Sequence, residues 1–380
     1  MKVLFFTIQL STIGGIERTL IDKANYMATN GHDVFVVTVE QGTLPYSYVI
    51  DKKVHLIDLG IFYYHRFRLP IYKRLGFCLH ARERFRVSFS EVLERVNPDI
   101  SVITTPNTES FLYDAISLSK VFNAKVIIES HLFFNYHFVP NGFFERIIQL
   151  MYSPMKGLRQ ADLLITLTEG DKSSWIKHGI QNATVVPNPL PFSPQNLDKR
   201  QAQEGRILYV GRLDKQKRVD RLIDAFALLA DKYPVWTIDI FGEGTCQTQL
   251  EKQVKHLKLA DRIRFHGPTN CVIEEYQQSQ FFVLCSDYEG FGLVLIEAMA
   301  CGIPVVSTDC PFGPSDIIED GLTGLLARMD VQDLAAKMEW MITHEAERNM
   351  MGVRGRHAAA KYEKEEVMKE WERAYMSVLK

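Results

Sequence analysis

Short apolar runs alternate with longer amphipathic stretches along the first half of the chain. Lys2–Thr7, Val34–Val39, Ile100–Thr105, Lys125–Ser130 and Asp162–Thr168 are rich in Val and Ile, residues that suit a pleated and buried surface. Between the first two, Ile16–Asn30 sets Leu20, Ala24 and Met27 on one helical face, and Gly31 follows as a stop. Such alternation predicts a parallel sheet covered on both faces. From Asn188 to Arg206 the pattern breaks into prolines and then a polar run, which predicts a linker. The alternation restarts with Ile207–Val210, Trp236–Phe241, Ile263–Phe265, Phe281–Cys285 and Pro304–Thr308. Helical segments such as Arg218–Asp231 and Gly292–Cys301 separate these runs. Two Rossmann-like α/β domains follow: residues 1–190, a linker over 191–205, residues 206–362, and a charged helical end over 363–380. Open parallel sheets bind ligands at the carboxyl ends of their strands, so two of them face to face are expected to enclose a cleft.

Composition adds little to this picture until it is read locally. The 380 residues carry 44 Lys plus Arg against 46 Asp plus Glu, a formal net charge of −2 that gives no argument for nucleic-acid binding. Within Phe62–Arg86, however, Arg66, Arg68, Lys73, Arg74, Arg82, Arg84 and Arg86 face only one acid, Glu83. Phe62, Tyr63, Tyr64, Phe67, Tyr72 and Phe77 are interleaved among them. That mixture suits an anionic membrane surface; a solvated basic helix with a few core aromatics is the other reading. The six cysteines contain no C-x-x-C pair and read as buried free thiols in a reducing compartment. Val3–Leu10 reads as a first strand rather than a signal-peptide core, because a glycine turn and a helix follow it. No apolar stretch is long enough to span a bilayer, and Glu297 interrupts the nearest candidate. The expected location is the cytoplasm, with contact to the inner membrane face.

The chemistry concentrates at Glu289-Gly-Phe-Gly-Leu-Val-Leu-Ile-Glu297. Two carboxylates flank a glycine-spaced turn that opens an apolar helix ending at Gly302. Gly290 and Gly292 allow the backbone close to a ligand, and the helix start turns N–H groups and a positive dipole end toward it, which suits a phosphate. Glu297, inside the helix, is placed to accept hydrogen bonds from a ribose diol, while Glu289 stays on the loop. Arg212 and Lys217 follow the strand Ile207–Val210 at its carboxyl end, where a fork and a point charge can meet phosphate oxygens. No two aspartates lie two apart, so an Asp-x-Asp metal site finds no support.

These residues carry a resemblance. Glu289 and Glu297 match the E-x7-E signature of retaining GT-B glycosyltransferases of the GT4 type. Gly14-Gly15-Ile-Glu17, Glu129-Ser-His131, Val186-Pro-Asn188-Pro, Val210-Gly-Arg212-Leu-Asp-Lys-Gln-Lys217 and Phe241-Gly-Glu-Gly244 occur in the family's order. The run Asp309-Cys-Pro-Phe-Gly313-Pro-Ser-Asp-Ile-Ile resembles the branch that builds bacterial surface polysaccharides. The resemblance implies a GT-B fold whose C-terminal helix returns to the first domain, with Trp371 and Tyr375 as anchors. It implies metal-independent transfer of a sugar from a nucleotide donor, with UDP expected, to a hydroxyl of a glycan or lipid-linked glycan.

Individual roles follow from the same resemblance. Arg212 and Lys217 hold the diphosphate, Glu289 orients the sugar, and Glu297 holds the ribose. Phe291, Gly292, Leu293 and Val294 offer backbone N–H groups. His266 and Gly267 lie where relatives hold the base by backbone atoms, and Gly242 and Gly244 keep that wall open. His131 contacts the donor sugar. Gly14 and Gly15 form the loop opposite the donor, and Glu17 either positions the acceptor or complements its helix dipole. Asn135, Tyr136 and His137 are candidates to line the acceptor pocket. The acceptor attacks from the face of the leaving group, whose phosphate oxygen takes the proton, so no enzymic nucleophile is needed. A GT-B nucleotide-sugar 2-epimerase and a non-catalytic sugar-nucleotide binder are the alternatives. A nicotinamide oxidoreductase is disfavoured because neither half holds a dinucleotide fingerprint.

Overall fold

In the computed structural model, residues 1–12, 14–105, 109–131, 157–194 and 201–380 are described below. The chain divides into two units: Met1–Pro187 together with Met368–Lys380, and Asn188–Val367.

The first unit is built on seven parallel strands: β1 (Lys2–Thr7), β2 (Asp33–Thr38), β3 (Val54–Asp58), β4 (Ile100–Thr105), β5 (Lys125–Ser130), β6 (Leu163–Thr166) and β7 (Ala183–Val185). Their order is β3-β2-β1-β4-β5-β6-β7. The order reverses where β1 pairs with β4, so the carboxyl ends of those two strands flank the crevice in which such sheets take ligands. Helices α1 (Gly15–Thr29), α2 (Ile71–Val96), α3 (Glu109–Val121) and α4 (Glu169–Lys177) accompany the sheet. α1 buries Leu20, Ile21, Ala24, Met27 and Ala28, and the chain leaves it through Gly31 at φ 85°. α2 packs Phe85 and Phe89 against Phe6 of β1, with ring centroids 5.4 and 5.2 Å apart.

The second unit holds six parallel strands: β8 (Arg206–Val210), β9 (Thr237–Phe241), β10 (Ile263–Gly267), β11 (Phe281–Leu284), β12 (Val305–Thr308) and β13 (Gly324–Ala327), in the order β10-β9-β8-β11-β12-β13. Its switch point lies between β8 and β11. The accompanying helices are α5 (Val219–Ala227), α6 (Gln247–His256), α7 (Val272–Gln277), α8 (Leu293–Ala300), α9 (Pro314–Ile317), α10 (Val331–Thr343) and α11 (Glu345–Ala359). β8, β11 and β12 are almost wholly buried and read in sequence as continuous apolar runs, as strands covered on both faces do.

A last helix, α12 (Lys364–Ser377), belongs to the first unit from Met368 onward. Trp371 and Tyr375 are buried there. The Trp371 indole donates to Pro187 O at 3.0 Å, and Glu372 meets the His32 ring at 2.7 Å. The return predicted from Trp371 and Tyr375 is present.

Three strands escape the sequence pattern. β3 reads Val-His-Leu-Ile-Asp with one buried position and lies at a sheet edge. β7 is three residues long at the other edge, and β13 opens on a glycine. The cysteines also differ from expectation. Cys285, Cys301 and Cys310 are buried, but Cys271 is exposed in the loop before α7, and Cys78 and Cys246 are half-buried. Among the described residues no helix is long and apolar enough to cross a membrane.

Candidate active site

In the second unit the loops after β8 and β11 are laced together. Gln216 donates to Tyr288 O at 2.8 Å, and the Asp287 N–H donates to Gln216 O at 2.9 Å. This lacing brings Lys217, from a single 3-10 turn over Lys215–Lys217, within 2.7 Å of Glu289 Oε1. Ser286 Oγ donates to the same oxygen at 2.6 Å. Glu289 is buried, and its backbone is pinned by the bond from its N–H to Pro311 O at 2.9 Å. Arg212 stands apart: its guanidinium is exposed and pairs with Asp214 at 2.9 Å.

α8 starts beside this pair. Gly292 holds φ 98°, a left-handed conformation that strains any residue with a Cβ, and no side chain caps the helix. The N–H groups of Leu293 and Val294 therefore open the helix without a side-chain acceptor. Glu297 lies one turn further in, and the buried Tyr276 hydroxyl donates to its Oε2 at 3.1 Å. Burial pushes the Tyr276 phenol well above its ordinary range, as does the neighbouring Glu297 charge, so it remains a donor. At the third wall Gly242 is obligatory, because a Cβ there would stand 1.9 Å from Gly211 O. The His266 ring stacks on Phe241 at 4.6 Å and hydrogen-bonds Asp239 at 2.8 Å. That side chain is engaged, and Gly267 leaves the backbone beside it open.

In the first unit, Gly14 is extended at φ −157° and caps α1 without a side-chain bond. Neither Gly14 nor Gly15 has a positive φ. What the pair supplies is the absence of side chains, and a Cβ on Gly14 would meet Glu17 Oε2 at 2.6 Å. His131 follows β5 and is 4% exposed. Its Nε2 lies 3.3 Å from Glu129 Oε2, and its Nδ1 has no hydrogen-bond partner among the described residues. Glu129 is wholly buried, with Lys23 Nζ on Oε2 and the Tyr375 hydroxyl on Oε1. Burial alone would raise the Glu129 carboxyl, but Lys23 and His131 hold it well down, at about 2. Burial also pulls Lys23 below its ordinary range, against the attraction of Glu129. With donors on both oxygens, Glu129 is ionised. Burial holds the His131 ring below its ordinary range, against the hydrogen bond to Glu129. Asn135, Tyr136 and His137 lie outside the described residues.

Comparison with known proteins supplies the deciding observation. The family model described as "Glycosyltransferase Family 4" matches residues 13–193, and "Glycosyl transferases group 1" matches residues 195–358. The chain is a group 1 glycosyltransferase of family GT4. An uncharacterized glycosyltransferase of Haemophilus influenzae is 28% identical over 97% of this chain and 98% of its own. The amylovoran biosynthesis glycosyltransferase AmsD of Erwinia amylovora is 26% identical, again over 97% of this chain and 98% of its own. The crystal structure of Anabaena HepE, in complex with UDP and glucose, superposes with a TM-score of 0.74 over 99% of this chain and 100% of its own, at 19% identity. That likeness fixes the fold as GT-B.

For this glycosyltransferase the sequence motifs find the loop residues and miss what holds them. Tyr276 under Glu297, and Lys23 with Tyr375 on Glu129, lie far in sequence from the residues they serve, while Ser286 stands three residues before Glu289 outside the motif. Only Tyr375 carried a signal, as an aromatic in an otherwise charged helix. Among the described residues no group of three or more His, Cys, Asp or Glu is arranged to hold a metal ion.

Proposed function

We propose that this glycosyltransferase moves a sugar, with retention, from a nucleoside diphosphate donor to a hydroxyl of a glycan or lipid-linked glycan in surface-polysaccharide assembly. The observation that carries this reading is the convergence of Lys217, Glu289 and the uncapped start of α8 at the switch point of the second sheet. A departing diphosphate gathers negative charge, and preorganised donors are most effective where charge develops. Lys217 and Arg212 meet that charge with the N–H groups of Phe291, Gly292, Leu293 and Val294. Glu289 holds the transferred sugar and Glu297 the ribose, while the backbone of His266 and Gly267, beside Gly242, receives the base. In the first unit, on the acceptor side, Gly14 and Gly15 present open backbone and His131 accepts from a sugar hydroxyl. The leaving phosphate oxygen takes the acceptor proton on the same face, so Glu289 need not become a nucleophile. Uridine is favoured because HepE, which shares the fold, is solved with UDP. The glycan acceptor is favoured because AmsD is named for amylovoran biosynthesis.

An anionic membrane surface is the second partner. Tyr72 is 79% exposed, Phe67 64%, Leu75 55% and Leu79 52%. Tyr72, Leu75 and Leu79 share one face of α2, opposite the buried Ala81 and Phe85. Arg68, Lys73, Arg84 and Arg86 are exposed on the same segment, whereas Arg82 is taken up by Asp114. Cations with exposed aromatic and leucine side chains fit the headgroup boundary of a bilayer.

The test is a screen of nucleotide sugars by thermal shift, followed by turnover with the stabilising donor. Lys217→Ala and Arg212→Ala should fold normally and lose about 2–4 kcal/mol of transition-state stabilisation. Near-normal kinetics in both variants would sink the assignment. Activity should persist in excess EDTA, because side-chain cations and a helix terminus take the place of a metal. Loss to chelator with recovery on added magnesium or manganese would show that a metal is required.

A further inference from the structure

His131 presents an unusual combination: a buried imidazole with one nitrogen bonded and the other without a partner among the described residues. A neutral imidazole donates from one nitrogen and accepts at the other, and the bonded partner decides which. Glu129 is an ionised acceptor with Lys23 on one oxygen and Tyr375 on the other. It has no proton to give, so His131 Nε2 must donate to it. An Nδ1–H tautomer would set a lone pair against a carboxylate and bury an N–H with nothing to receive it. An imidazolium would bury the same orphan donor. Each costs the desolvation of a polar group with no bond in return.

What fixes the carboxylate comes from the far end of the chain. Tyr375 on α12 gives its hydroxyl to Glu129 Oε1. Trp371, one turn earlier, lies parallel to the His131 ring at 4° with centroids 6.5 Å apart. Lys23 Nζ sits 3.8 Å from the centroid of the same indole. Helix α12 thus touches every member of the cluster.

We propose that α12 sets the tautomer of His131: Tyr375 and Lys23 hold the Glu129 carboxylate, Glu129 takes the Nε2–H, and Nδ1 is kept as a buried lone pair that accepts from a ligand hydroxyl. Tyr375, Trp371, Lys23 and Glu129 are positioning residues in this account, acting through His131. The proposal rests on the reading of His131 as a contact of the transferred sugar. It adds a direction to that contact: the sugar donates and the enzyme accepts. A donor whose hydroxyl at that position is replaced by fluorine or a methyl ether therefore loses the bond.

The test uses full-length protein with 15N-labelled histidine, the His131 ring signals being assigned by their absence in His131→Gln. At neutral pH the wild type should show protonated Nε2 and unprotonated Nδ1. A protonated Nδ1 overturns the proposal. Tyr375→Phe keeps the ring that packs on Phe5 and removes only the hydroxyl. It should lower turnover roughly three- to tenfold while leaving nucleoside diphosphate affinity unchanged. Unchanged turnover would remove α12 from the mechanism. Because a lone Glu129 variant would strand Lys23 in the core, the second variant is the pair Lys23→Met with Glu129→Leu, a replacement that buried ion pairs often tolerate. It should fold, lose the fixed tautomer so that Nδ1–H appears beside Nε2–H at His131, and lose roughly ten- to a hundredfold in turnover. A folded double variant that keeps both a pure Nε2–H spectrum and wild-type turnover would overturn the proposal. If His131→Ala turns over normally, the sugar-contact reading falls while the spectrum still decides the tautomer.

Discussion

Lys217 already holds a counter-charge, Glu289, at 2.7 Å. A phosphate that engages this lysine competes with a carboxylate that the proposed function also needs for the sugar. Removing Glu289 leaves Lys217 free, so Glu289→Ala should bind nucleoside diphosphate as well as the wild type or better, while turnover collapses. Glu297→Ala should instead weaken nucleoside diphosphate and intact donor together by roughly 1.5–3 kcal/mol, the worth of a hydrogen bond to an ionised group. Calorimetry with both ligands separates the cases. Equal weakening of the diphosphate by both variants would show that the division of labour is wrong. At this scale the sequence was legible wherever a residue type implied its own chemistry: a carboxylate on a glycine turn, a cation after a strand. It was not legible where a residue's value depends on its neighbours. Lys23 sits in an amphipathic helix, where lysine ordinarily faces water, and nothing local announces that it is 1% exposed against Glu129.

Helix α2 has two apolar faces. Ala81, Phe85, Phe89 and Leu93 turn one of them into the core, while Tyr72, Leu75 and Leu79 hold the other toward solvent. The triple variant Tyr72→Ser, Leu75→Ser, Leu79→Ser removes no core contact and should leave the melting temperature near that of the wild type. It should abolish co-sedimentation with vesicles containing anionic lipid. Binding of the wild type should fall as salt rises, since each basic residue near such a surface contributes about 1 kcal/mol that ions screen. Equal binding to neutral and anionic vesicles, or to neither, would return the segment to a solvated helix. The central strands announce themselves as apolar runs; β3 and β7 were missed at the sheet edges, and the mostly buried β13 was missed because it opens on a glycine. An edge strand exposes much of its side-chain surface, and a short strand carries too few residues for a pattern. Turns were read better, because Gly31 and Gly302 both hold the positive φ that ends a helix.

Over the whole molecule, the thiols divide by unit and by depth. Burial pushes Cys285, Cys301 and Cys310 up to about 12, so thiolate is scarce at each of them in mildly alkaline buffer. A chromogenic disulfide reagent applied to native protein should therefore react at once with Cys271 and reach those three only after denaturant is added. Fast native reaction of more than the exposed and half-buried thiols would contradict the described packing of the second unit. The two-domain plan was legible because the strand–helix rhythm stops and restarts around Asn188. The assignment of residues 368–380 to the first unit was legible only through two aromatic residues. That assignment has a consequence for synthesis. Translation yields β1 to β7 early, yet Trp371 and Tyr375, which close over Lys23 and Glu129, follow only after all of 188–367 has been made. The early unit waits on the ribosome with the Lys23–Glu129 pair still uncovered, and a nonsense mutation at Trp371 would disable the first unit although it leaves every strand of that unit in place.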